Sequence, residues 1–352
     1  MAKINLLTLH YSDNNGAVLQ TYATCEILRR LGHEVTLINL QDRSVYKRYF
    51  QQKYHIKLIP RYVRFAKFTR KHYARQTSRM FEINTKLLPK CDYTVCGSDQ
   101  IWNPDIVFKI QKNTYFLDFV NDGSKKIALA SSFGKAKWEA DENETNLVRN
   151  LLQDFSAISV REASGVDICR DTFGVDAISV VDPTLALNDF SGIIDSKPNI
   201  KDEIRFFLFK QTYSVQVIDY LIEKTGMVGR NIGYEIAALA KYQNLNYRKQ
   251  TPKEWLEGIR DSRIFLSDSF HGIACSIILH KQFIALCADI KKFERISSLL
   301  KMFGLENRIV YNLDDVKERF DELMQPIDYR PVDALLEQKQ MEYFEFVRKN
   351  IK

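Results

Sequence analysis

Paired cysteines, nucleotide-binding glycine loops and long apolar runs are all missing from this chain, and each absence removes a class of function. The six cysteines (Cys25, Cys91, Cys96, Cys169, Cys275 and Cys287) form no CxxC pair. They lie mostly inside apolar runs, where a thiol acts as a small hydrophobe, so a disulfide scaffold and a redox pair are excluded. The six histidines are scattered rather than set at zinc-ligand spacing, and no metal is expected. Neither GxGxxG nor GxxxxGK[ST] occurs, which leaves no dinucleotide fingerprint and no phosphate loop for a nucleoside triphosphate. No window approaches the ~18 apolar residues of a membrane span. The first residues reach polar Thr8 and His10 before a signal-peptide core could form, so the expected location is the cytoplasm. With 45% apolar and 27% charged residues the composition is that of a folded globular protein, and 352 residues suggest two domains.

What is present is alternation. Lys3 to Leu9 reads as a short buried strand, Gly16 to Leu31 repeats apolar residues at helical spacing until Gly32, and Glu34 to Leu40 is a second strand. This βαβ unit recurs through Tyr93 to Cys96, Lys126 to Ala130, Ala157 to Val160 and Ala177 to Val181, predicting six strands in a doubly wound parallel sheet. Turn formers then cluster between Val181 and Ile204 and mark a domain junction. Beyond it Ile204 to Phe209, Met227 to Ile232, Arg263 to Ser267, Gln282 to Leu286 and Arg308 to Tyr311 alternate with helices from Pro252, His271, Lys291 and Leu313. The expected α/β architecture is two Rossmann-like domains, 1–190 and 191–352, facing across a cleft. A long closing helix at 332–351 could pack back across the junction.

Charge is unevenly spread. Lys and Arg exceed Asp and Glu by 7 overall, yet residues 43–81 hold 12 basic residues, no acidic one and nine Tyr or Phe. The ordinary explanation is a helical insertion in the first domain, its basic stems covering apolar surface. Peripheral contact with an anionic membrane, through residues such as Lys47, Arg48, Lys53 and Lys57, is the sharper one. Nucleic acid would explain the charge but not the strand-end clusters described next, and it is not expected as a partner.

Polar residues concentrate where strands end, the edge at which open α/β sheets bind ligands. Asn14, Asn15 and Gly16, with Gln20 one turn on, open the first predicted helix, where unpaired N–H groups suit an anion or a sugar hydroxyl; Asn-Asn-Gly is equally an ordinary turn. Ser98, Asp99, Gln100, Trp102 and Asn103 follow the strand ending at Cys96, and the mixture of hydrogen-bonding groups with a flat apolar face suits a sugar; Trp102 could instead belong to the core. Ser132 and Lys135 follow a third strand and Arg161 a fourth. An arginine fork there can hold a carboxylate or phosphate, or form a silent ion pair with Glu162. In the second half, Ser267-Asp268-Ser269-Phe270-His271-Gly272 places a histidine at a strand-to-helix turn, suited to proton transfer near neutral pH.

Taken together, Asn15-Gly16-Ala17, Leu19 to Ala23, Cys96 to Pro104, Ala130 to Gly134, Ser159 to Glu162, Val181 to Leu185 and Ser267 to Gly272 resemble the polysaccharide pyruvyl transferase family from residue 4 to about 290. The resemblance implies a GT-B-like fold, phosphoenolpyruvate as donor, a saccharide acceptor carried on a polyprenyl diphosphate or in a surface polysaccharide such as capsule or exopolysaccharide, and a pyruvate ketal as product. No cofactor is implied. His271 matches the family's active-site histidine and Arg161 its donor-holding arginine, with Ser269, Gly272, Ser132 and Lys135 beside the donor. Asp99 is a base toward the acceptor on position alone, and the two first-domain loops are the acceptor side. Some members carry an arginine where this chain has Ser269. A nucleotide-sugar glycosyltransferase of the same architecture is the competing function.

Overall fold

The computed structural model describes residues 1–10, 13–43, 59–105, 113–195, 197–209, 213–235, 237–245, 250–287 and 290–352. Two compact units emerge, one made of Met1–Ile59, Ala66–Leu187 and Glu337–Lys352, the other of Pro60–Phe65 and Asn188–Leu336.

The first unit is built on strands β1 (Lys3–Leu7), β2 (Glu34–Leu37), β3 (Arg75–Gln76), β4 (Tyr93–Gly97), β5 (Lys125–Ser131), β6 (Phe155–Val160) and β7 (Ile178–Ser179). They form one sheet in the order β3-β2-β1-β4-β5-β6-β7, every described pair parallel. Central strands are apolar nearly throughout because both faces are covered, as Leu6, Leu7, Val95 and Ile127 to Leu129 show by being fully buried. Helix α1 (Asn15–Arg30) leaves β1 with Asn14 as its N-cap.

The second unit repeats the plan with β8 (Glu203–Phe207), β9 (Val228–Asn231), β10 (Gln243–Asn244), β11 (Ile264–Ser267), β12 (Phe283–Leu286) and β13 (Ile309–Val310), in the order β10-β9-β8-β11-β12-β13. Its apolar side chains, among them Ile204, Phe206, Leu266 and Ile284, make a core of their own. Each sheet has one point where strand order reverses, between β1 and β4 in the first and between β8 and β11 in the second. Ligand crevices form at the carboxyl ends of strands at such points.

The alternation predicted from sequence is present, with two additions and two reassignments. The two-residue strands β3 and β10 carry no apolar run; they extend the sheet edges by backbone pairing alone. Residues from Glu337 on group with the first unit, where Gln340 Nε2 donates to the Leu185 carbonyl (3.1 Å), the Lys352 amide to Tyr93 Oη (3.2 Å), and Tyr343 is fully buried. The expected domain 191–352 therefore loses the end of its closing helix.

The basic segment divides as well. Its residues 60–65 group with the second unit: Arg61 is buried, donates to the Gln250 carbonyl at 3.1 Å and covers the Phe65 ring at 4.4 Å, while Arg64 pairs with Glu254. Lys47, Arg48, Lys53 and Lys57, on which the expected membrane contact rests, lie outside the described residues. No helix among the described residues is long and apolar enough to cross a membrane.

Candidate active site

The first unit's switch point is furnished by the loops after β1 and β4. Asn14 caps α1, its Oδ1 accepting from the amides of Gly16 (2.9 Å) and Ala17 (3.4 Å). Asn15 beside it is 2% exposed, and neither amide atom has a hydrogen-bond partner among the described residues. Gln20 does not face a ligand. It is fully buried and donates to Thr8 Oγ1 (3.0 Å) and the Leu9 carbonyl (3.1 Å), fastening α1 to the end of β1. Trp102 is also corrected: it has no exposed surface, donates Nε1 to the Tyr115 carbonyl at 3.0 Å and packs on Phe116 and Phe133, so its flat face serves the core and not a sugar.

Asp99 stands at the end of β4 with φ +61°, a left-handed conformation that Asp tolerates better than most residues. It is half-buried; its carboxylate accepts from the Gln100 amide (2.9 Å) and its carbonyl from the Ser132 amide (3.1 Å). Gln100 Oε1 accepts from Asn103 Nδ2 at 2.8 Å. Both amides crowd Gly134 (φ +68°), where a Cβ would collide with Gln100, so glycine is needed there.

Arg161 lies at the centre of a buried network. Its Nη1 donates to Asp182 Oδ2 (3.0 Å), Nε to Glu162 Oε1 (3.1 Å) and Nη2 to Ser132 Oγ (3.2 Å). Ser132 Oγ in turn donates to Glu162 at 2.7 Å, and Ser98 Oγ to Asp182 at 3.3 Å. Burial alone would pull the guanidinium pKa down, but the Glu162, Asp182 and Asp99 carboxylates outweigh it and hold the group above its ordinary value. The expected open fork is thus engaged by side chains of its own unit, and the pairing with Glu162 is buried rather than superficial. Lys135 is likewise engaged, with Asp105 (2.9 Å) and Glu139 (2.6 Å), which raise its pKa.

Asp182, which the sequence places in the Val181 to Leu185 motif without a role, anchors this network. Its Oδ1 accepts from the amide (2.9 Å) and hydroxyl (2.6 Å) of Thr184 while Oδ2 holds Arg161. The Asp-Pro-Thr order, with Asp before the first helical proline, is a capping signature that could have marked it.

The second unit's switch point carries the histidine. Ser267 Oγ donates to the Phe207 carbonyl (2.7 Å), joining β11 to β8, and Asp268 accepts from the Phe209 amide (2.8 Å). Ser269 is the N-cap of the helix Phe270–Ile278, its Oγ accepting from the Gly272 amide at 3.4 Å. A Cβ on Gly272 would lie 2.5 Å from Ser267 Oγ, so glycine lets the helix close onto β11. Ser269 and Gly272 therefore shape the turn that presents His271 on the first helical turn, 9% exposed and edge-on to Phe270 at 5.3 Å. Helix N–H groups and the positive dipole end favour a negative group at such a position.

The sequence profile of the polysaccharide pyruvyl transferase family matches residues 14–286, a stretch that holds the start of α1, the loop after β4 and the turn after β11. The chain belongs to that family. In this pyruvyl transferase family member each of the two units is a Rossmann-like parallel sheet. The chain is similar to the UDP-GlcNAc 2-epimerase of Neisseria meningitidis, bound to UDP-GlcNAc, at 10% identity and TM-score 0.52 over 100% of this chain and 99% of that one. It is also similar to the UDP-N-acetylglucosamine 2-epimerase of Rickettsia bellii, at 8% identity and TM-score 0.51 over 100% and 99% of the two chains. MnaA of S. aureus with UDP gives 11% identity and TM-score 0.51, covering 96% and 91%. Likeness at such identities concerns the fold alone. Comparison with curated protein sequences finds no match.

Proposed function

We propose that this transferase moves pyruvate from phosphoenolpyruvate onto a sugar of a surface polysaccharide or of its lipid-linked precursor, leaving a pyruvate ketal. The observation that carries the proposal is the placement of His271 inside the family match, on the first turn of a helix that leaves the β11 switch point.

The reaction defines the groups it needs. The CH₂ carbon of the enol phosphate takes a proton, C2 becomes electrophilic, one sugar hydroxyl adds, phosphate leaves and a second hydroxyl closes the ketal. Of the two hydroxyl protons released, one balances the proton given to carbon and the other leaves with phosphate. His271 is the group for proton transfer, a role worth ~10²- to 10⁴-fold in rate. With Arg161 and Lys135 paired to carboxylates, the helix start at Phe270 and His271 is the better seat for the donor's anionic groups. Asp99, Asn15, Gln100 and Asn103 supply hydrogen-bonding groups to the acceptor, with Asp99 as the base. The chemistry as written requires neither a metal nor a nicotinamide.

Incubating the protein with phosphoenolpyruvate and an oligosaccharide, and following both phosphate release and the ketal methyl signal by NMR, tests the proposal. Acceptor-dependent phosphate with a new methyl singlet is expected. UDP release from a UDP-sugar in the parallel incubation, with no ketal, would establish the glycosyltransferase function instead.

A further inference from the structure

A cavity lies at the edge of the β8-to-β13 sheet opposite the one that carries His271. It measures about 400 Å³ and is walled by Phe190, Ile194, Ile200, Ile278 and Leu279, with Lys281 and Arg260 as its basic groups and Asp189 and Asp195 as its acidic ones. Lys281 precedes β12 and Arg260 precedes β11, so the cavity sits at the amino ends of these strands. His271 follows the carboxyl end of β11, a four-residue strand spanning about 13 Å.

The cavity wall is built from an unusual helix stop. The helix Phe270–Ile278 closes with the Lys281 amide donating to the Ser276 carbonyl (2.8 Å) and the His280 amide to that of Ile277 (3.1 Å). This paired pattern normally puts glycine at the left-handed position. Here the residue is His280 at φ +50°, and Asn188, across the same cavity, has φ +47°. Left-handed non-glycine backbone is held only where surroundings enforce it, and it gathers at functional sites. His280 is held by stacking on Tyr329 (4.6 Å between centroids) and by Asp333 at 2.8 Å, while Tyr329 Oη donates to the Lys281 carbonyl at 2.5 Å.

The stop places Lys281 in the cavity wall, where Asp261 acts on its charge electrostatically but without contact. The residue is 7% exposed, and its ammonium has no hydrogen-bond or ion-pair partner among the described residues. The neighbouring cations are all matched: Arg260 with Asp195 and Asp261, Arg205 with Glu203, Arg263 with Asp202. Burial, opposed by Asp261 and reinforced by Arg263, Arg205 and Arg260, lowers the amine to about 8, the signature of an uncompensated site. Asp195 is taken by Arg260 and Asp189 accepts from the Ser191 amide, so an ammonium set among apolar side chains and two carboxylates fits a monoanion with a hydrocarbon body better than a dianionic phosphate, which those carboxylates would repel more strongly.

We propose that this cavity binds a small monocarboxylate, its carboxylate on Lys281 Nζ and its apolar body against Phe190, Ile194 and Ile278. The proposal is independent of the chemistry assigned to His271. Acylation of the native full-length protein by a small amine-reactive ester, read lysine by lysine in mass spectra, tests it directly. Butyrate at ten times its Kd is expected to slow modification of Lys281 about 10-fold and to leave surface lysines unchanged, while neutral butyramide protects nothing. Lys281→Met, which removes an unmatched charge and keeps the volume, should abolish butyrate binding by calorimetry. Equal protection by butyramide, equal protection by inorganic phosphate, no protection by butyrate, or unaltered binding to Lys281→Met would each overturn the assignment.

Discussion

Arg161 in the first unit and Lys281 in the second are both buried cations at the ends of parallel strands, yet they are treated in opposite ways. Asp182 and Glu162 contact the arginine, and a third carboxylate, Asp99, acts on it electrostatically, raising its pKa. Among the described residues Lys281 makes no carboxylate contact, and burial lowers its pKa although Asp261 opposes the shift electrostatically. A matched charge fixes architecture, because taking any member away strands the others out of water; an unmatched charge costs stability until a ligand supplies what is missing. Residue type alone does not separate the two cases, and partners do.

The largest effect that would break this contrast lies at Arg161. Arg161→Met should destabilise the protein by about 3–5 kcal/mol in urea titration, since Asp182 would remain buried without its cation. Retained stability together with a raised KM for phosphoenolpyruvate would make Arg161 a donor-binding group instead.

Lys281 gives an effect of opposite sign. Its folded pKa of about 8 lies below the ordinary 10.5, so between those values the unfolded chain binds the proton that the folded chain has released. Stability gains from this group as pH rises through that window, and below pH 8 the penalty is constant. Lys281→Met should therefore raise stability at pH 7 by on the order of 2 to 3 kcal/mol in carboxylate-free buffer, with the gain shrinking toward pH 10.5. A pH-independent difference would contradict it. The smallest effect belongs to Lys135, whose partners are exposed: Lys135→Met should change stability by less than about 1 kcal/mol, screened further by salt, in thermal unfolding at two ionic strengths.

Both sheets were legible in the sequence because buried parallel strands read as apolar runs, and their order put polar loops at predictable edges. The two-residue edge strands were not legible, since backbone pairing by Arg75-Gln76 and Gln243-Asn244 leaves no mark on side-chain pattern. The strand-to-helix turn that carries His271 followed from local order alone. Gln20 and Trp102 were misplaced because a hydrogen-bonding side chain or an indole at a strand end serves core and ligand equally well. What decides is who takes the hydrogen bonds, Thr8 and Tyr115 here. The Arg161–Asp182 pair joins residues 21 apart through tertiary packing, which no local pattern encodes.

Under the proposed function His271 transfers the proton, while the turn around it serves the folding. Acceptor-dependent ketal formation and urea unfolding, measured together on His271→Ala, test it most directly. Unfolding within about 1 kcal/mol of wild type is expected, with a rate lower by ~10²-fold or more. A variant that keeps more than about a tenth of the wild-type rate would contradict it.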